Sequence, residues 1–185
     1  MADARKRATA LQLSKGLDVE YQAALALALI GDTARVQALA TDLSKQFPED
    51  TIVQFKKMPT LNAQLALNRN EPLKAIEALQ PAAPYELGIM GTGTGLYPVY
   101  VRGKAYLAAR DGSKAAGEFQ KIIDHRVLVL NPIGALAHLG LARAYVLQGD
   151  TIKAKAAYQD FLTLWKDADP DIPILREAKS EYAKL

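Results

Sequence analysis

The chain has 185 residues, half of them apolar, with 23 Lys and Arg against 20 Asp and Glu for a formal net charge of +3. That length suits one domain with a sizeable core, and basic residues interspersed with acidic ones argue against a nucleic-acid surface. Cysteine is absent, which excludes disulfides and thiolate metal sites, and the longest apolar run, 23–30, falls far short of the ~20 residues that cross a bilayer.

The first residues, MADARKRATA, lack the apolar block of a secretion signal. A cytoplasmic chain without membrane attachment is the expectation. Residues 3–15 predict a short amphipathic helix, with Ala8, Leu11 and Leu13 near one face and Gly16 closing it. The helical pattern of 17–48 ends at Pro48. Asp50 then caps a long helix that must pass Pro59, where a lost hydrogen bond and a steric clash predict a kink or break at Met58-Pro59. Leu61, Leu65 and Leu67 carry that helix to Asn70, and a short helix over 73–79 completes the segment 50–82.

The stretch 83–95 is aperiodic. Pro84 and its four glycines cannot hold a regular helix. Gly91, Gly93 and Gly95 invite comparison with a phosphate-binding loop, but no strand precedes them and no Lys-Ser/Thr follows, so an inter-helix loop is expected. Helical pattern returns over 96–125, an irregular piece follows at 126–132, and 133–167 reads as two helices around Gly149-Asp150. In the second of these Ala154, Ala157, Tyr158, Phe161, Leu162 and Trp165 form a buried stripe. Pro173 starts a last helix within 172–185, with Leu175, Ala178, Tyr182 and Leu185 on one face.

One signal recurs. An acidic residue at a turn appears as Asp32, Glu71, Asp111 and Asp150, which lie 39, 40 and 39 residues apart. The last two units carry small and aromatic residues in both helices: Gly103, Tyr106, Ala115 and Phe119, then Ala142, Tyr145, Ala154 and Tyr158. The first two keep the small positions (Ala24, Val36 and Ala40; Ala63, Ala66 and Ala75) and lack the aromatics. This pattern resembles the tetratricopeptide repeat (TPR) family, whose unit is two antiparallel helices of about 34 residues. Its implication is an all-α fold: a right-handed TPR-like superhelix, or solenoid, of about four helix pairs with N-terminal and C-terminal capping helices. In register, the helix over 3–15 takes the place of a second helix without its first. An array beginning upstream of Met1 and a simple N-terminal cap both explain it.

In such arrays the first helix of each pair lines a concave groove that holds extended peptides. By register the resemblance implies a partner-binding groove of Tyr21, Lys57, Thr60, Gln64, Asn68, Tyr97, Tyr100, Lys104, Leu139 and Arg143, with Asp18, Leu25 and Leu147 beside them. Tyrosines offer contact area at low entropic cost, and Lys and Arg meet carboxylates. Arrays that clamp a chaperone's terminal carboxylates need Lys and Asn where this chain has Tyr21, Leu25, Thr60 and Leu61, so that ligand class is not expected. Segments 84–107 and 131–185 also resemble the C-terminal repeat region of large bacterial serine/threonine protein kinases, which implies a regulatory fragment without the kinase motifs.

No chemistry is legible. There is no HExxH, P-loop or kinase motif, and with His125 and His138 as the two histidines neither a metal site nor a cofactor is expected. The expectation is a non-enzymatic scaffold for a protein or peptide partner. Self-association as a homo-oligomer and a small-ligand sensor at Gly91–Gly95 are the rival classes.

Overall fold

Four turns of one design set the architecture. Each places a residue at positive φ just after a helix: Gly31 (84°), Asn70 (61°), Arg110 (59°) and Gly149 (75°). The acidic residue that follows donates its amide back to a carbonyl five residues earlier, Asp32 to Leu27, Glu71 to Ala66, Asp111 to Tyr106 and Asp150 to Tyr145, at 2.9–3.0 Å. This is the outer bond of a Schellman cap, which satisfies a carbonyl the helix end leaves bare. The same residue's carbonyl then accepts from the next helix, at Val36, Ala75, Ala115 and Ala154. Three aspartate side chains cap that helix by accepting the amides of Arg35 (3.4 Å), Lys114 (3.1 Å) and Lys153 (3.0 Å). Glu71, one methylene longer, makes no cap bond and pairs with Lys74 at 2.7 Å instead.

The computed structural model describes residues 16–88, 95–129 and 132–185. Among them it contains nine α-helices and no strand: α1 (Leu17–Leu29), α2 (Thr33–Gln46), α3 (Met58–Asn68), α4 (Pro72–Ala78), α5 (Tyr97–Ala108), α6 (Gly112–Asp124), α7 (Ile133–Gln148), α8 (Thr151–Leu164) and α9 (Pro173–Tyr182). The helix expected over 3–15 and the glycines at 91 and 93 lie outside the described residues. Each turn joins a first helix (α1, α3, α5, α7) to a second (α2, α4, α6, α8). First helices also pack on the next first helix, α1 on α3, α3 on α5 and α5 on α7, and α9 packs on α8.

Small side chains permit these close approaches. Ala24, Val36, Ala63, Ala75, Ala115, Ala142 and Ala154 are fully buried. Phe119 of α6 is wedged between two glycines: a Cβ on Gly140 would stand 2.5 Å from its ring, and one on Gly103 2.8 Å. Both helices therefore need a bare backbone there. The Tyr100 ring meets Phe119 edge-on at 6.0 Å. Lysines of the turns lie over the aromatics predicted in the last two pairs, Lys114 over Tyr106 and Lys153 over Tyr145.

Two local expectations change. The chain passes Pro59 without the predicted break: a π turn, Val53–Lys57, runs directly into α3. Widening the helix by one residue ahead of the ring relieves the clash a proline makes with the preceding turn. Thr60 Oγ1 donates 2.7 Å to the Lys56 carbonyl, which lies within that turn. The aperiodic stretch, in turn, begins with a 3₁₀ helix, Gln80–Tyr85, whose packing buries Ala82 and Glu86.

Candidate functional site

The first helices present one another with residues at equivalent register, and their polar ends meet. Lys57 Nζ donates to Asp18 at 2.9 Å, Lys104 Nζ to Gln64 at 3.0 Å, and Asn68 Nδ2 to the Ala28 carbonyl at 2.8 Å, pairs separated by 39 or 40 residues. Gln64 Nε2 also donates to Asn68 Oδ1 at 2.8 Å. Lys57 lies over the Tyr21 ring at 5.2 Å and Lys104 over the Tyr100 ring at 5.8 Å. Of the ten residues predicted to line a groove, Tyr21, Lys57, Gln64, Asn68, Tyr100 and Lys104 are joined by these contacts into a ladder.

Burial corrects the prediction for six of the ten. Tyr21, Lys57, Thr60, Gln64, Tyr97 and Leu139 are at most 8% exposed, so these six side chains face into the molecule rather than outward to a partner. The physical reason is polar satisfaction: a buried donor must find an acceptor, and the neighbouring first helix supplies it. Burial drives the Tyr21 hydroxyl's pKa upward against the lowering effect of its hydrogen bond with Thr60. Leu25 is buried as well. Asn68 is exposed, and Tyr100, Lys104 and Arg143 are half-buried.

Those last three form the accessible part of the face. Arg143 on α7 makes a two-pronged pair with Glu181 of α9, Nε to Oε2 at 2.9 Å and Nη2 to Oε1 at 2.8 Å, with Glu177 at 3.3 Å. Burial alone would raise the Glu181 pKa, but hydrogen bonds from Arg143 and from the Tyr158 hydroxyl (2.7 Å) hold it below the usual carboxylate range. These bonds tie α9 to α7, beside its packing on α8. Lys104 has no such partner. Burial, aided by repulsion from Arg143, pushes its pKa down to about 8. Burial likewise pushes the Tyr100 phenol up to about 12. Tyr100, Lys104 and Arg143 open on a cavity of about 180 Å³, and Arg143 also borders a neighbouring one of about 490 Å³.

A second cluster escaped sequence reasoning. Glu86, fully buried after the 3₁₀ turn, accepts from Arg102 of α5 and, at 2.6 Å, from Lys121 of α6. Arg102 turns its other nitrogen to Glu118 at 2.6 Å. Burial would raise the Glu86 pKa, yet Arg102 and Lys121 bring it below its ordinary value; burial would lower that of Arg102, yet Glu86 and Glu118 raise it. The one available signal was Arg102 itself, a charge one helical turn beyond buried Val99.

Elsewhere, a cavity of about 740 Å³ lies at His138 and Trp165, and the buried His138 Nδ1 makes no hydrogen bond, its nearest carboxylate oxygen being Asp160 Oδ2 at 3.6 Å. Among the described residues no group of three or more histidines and carboxylates is arranged to hold a metal ion, and no helix is long and apolar enough to cross a membrane. Compared with family models, with curated proteins and with solved structures, the chain matches none.

Proposed function

We propose that this chain is a TPR-like helical solenoid that serves as a non-catalytic scaffold, binding a peptide or protein partner along the face of its first helices. The observation that carries this reading is the half-buried trio Tyr100, Lys104 and Arg143. It combines an aromatic with two cations at the edge of an otherwise internally bonded ladder. An aromatic and basic surface of this kind suits an extended, acidic segment. The recurrence of one turn design every 39 or 40 residues, and the packing of first helix on first helix, support the solenoid. The resemblance to the repeat region of bacterial serine/threonine kinases supports a regulatory role within a signalling protein in the cytoplasm.

A displayed peptide library tests it. Selected peptides should bind the native chain and lose at least tenfold in affinity to a Tyr100→Ala, Lys104→Glu double variant, equivalent to about 1.4 kcal/mol. Peptides that bind both proteins equally would place recognition elsewhere and end the groove reading.

A further inference from the structure

Lys104 is a half-buried ammonium that the fold has left short of counter-charge. Its hydrogen-bond partner is a neutral amide, Gln64 Oε1 at 3.0 Å, and it lies over the neutral ring of Tyr100. Among the described residues no carboxylate is paired with it. Arg143 acts on it, and acts by repulsion. The glutamates nearby, Glu181 and Glu177, are bonded to Arg143. A burial of this kind costs stability unless something restores the charge balance.

The cavity beside it has the complementary character. Tyr100, Lys104 and Arg143 supply the polar wall of the space of about 180 Å³, and Leu107, Leu136 and Ile174 supply apolar walls. Leu107 and Arg143 also border the larger space of about 490 Å³, where Val146, Leu147 and Leu185 add apolar surface. Lys104 and Arg143, whose Nε and Nη2 are already paired with Glu181, therefore both line a small recess beside a larger one that Glu181 and Lys184 border together with the apolar residues.

We infer that this recess is a binding site for a monocarboxylate with a short apolar tail, its carboxylate held between Lys104 and Arg143 and its tail directed along Leu107 into the larger cavity. The carboxylate can come from a free short-chain acid or from the C-terminus of a peptide ending in an aliphatic residue. In its peptide form the inference rests on the scaffold reading; in its free-acid form it does not. The site lies on α5 and α7 with α9 beside them, away from the N-terminal first helices.

Binding requires the charged lysine. Around it, Tyr100 stays neutral and Arg143 and Glu181 stay ionised between pH 7 and pH 9, and Lys184 lines the larger space as a further cation. Affinity should therefore fall about tenfold from pH 7 to pH 9 as Lys104 loses its proton. The test is calorimetric titration of the full chain with 4-methylpentanoate, with acetyl-Ala-Ala-Leu as the acid, and with the same peptide as its amide. Expected are saturable binding of one or both acids, the tenfold pH effect, at least a tenfold loss in Lys104→Met, and retention in Lys104→Arg. Binding of the free acid alone supports the site and removes support for the scaffold reading. Binding of the peptide acid but not its amide supports the site with a peptide source. Equal binding of acid and amide peptides overturns the inference and leaves the scaffold intact. Failure of both acids to saturate below about 20 mM, or equal affinity in Lys104→Met, also overturns it.

Discussion

Two charged clusters in this molecule obey opposite rules. Around Glu86, two carboxylates and two cations from three segments close on one another: Glu86, Arg102, Glu118 and Lys121. Around Lys104, a half-buried cation meets an amide, a ring and another cation. The first cluster pins the stretch after α4 to α5 and α6 and is complete. The second is incomplete, and incompleteness beside a cavity is what distinguishes a candidate site from structural glue.

Removing a member from each should therefore have opposite signs. Glu86→Ala leaves Arg102 buried with one partner fewer, and urea unfolding at pH 7 should register a loss of about 3–5 kcal/mol. A change below about 1 kcal/mol would mean that the cluster is wet and the contrast false. Gly140→Ala drives a methyl into the Phe119 ring beneath the small cavity, and should cost about 1–3 kcal/mol in the same assay. It asks whether the walls of the open region are rigid. Lys104→Met combined with Gln64→Leu, which removes both partners of that hydrogen bond, should go the other way and stabilise the chain by roughly 1 kcal/mol at pH 7.

The pH dependence sharpens that third prediction. The Lys104 pKa is lower folded than unfolded, so the unfolded chain binds more protons between about 8 and the ordinary 10.5. Stability from this group thus rises with pH across that window. The gain from that double variant should shrink accordingly, and a gain constant from pH 7 to pH 10.5 would refute the assignment. The smallest effect belongs to a site outside both clusters. Arg110 sits at φ 59° where the first and last turns use glycine, and Arg110→Gly should stabilise by about 0.5–1 kcal/mol. Thermal unfolding of the variant, compared with Asn70→Gly, checks whether turn strain is spread evenly along the chain.

What could be read from the residues was local. Asp32, Asp111 and Asp150 announce their turns because cap and backbone chemistry act within five residues. The small positions at Ala24, Ala63, Gly103 and Ala142 show where helices cross, because nothing larger fits. Pro59 was readable as a disturbance, but its remedy, a π turn rather than a break, depends on how α3 sits on its neighbours. Register placed these side chains at equivalent positions along the first helices. It could not show that Lys57 and Gln64 are consumed by residues 39 and 40 positions away, since periodicity places a side chain on a face without naming what lies against it. Glu86 was invisible for a related reason: it lies in an aperiodic stretch, and its partners come from two later helices.

The most direct test of the account is the proton affinity of Lys104 itself. Its ε-methylene resonances, assigned by loss in Lys104→Met and followed by NMR from pH 6 to pH 11, should titrate with a midpoint near 8. A midpoint near 10.5 would show a solvated lysine without electrostatic need of a ligand, and would contradict the distinction between the two clusters.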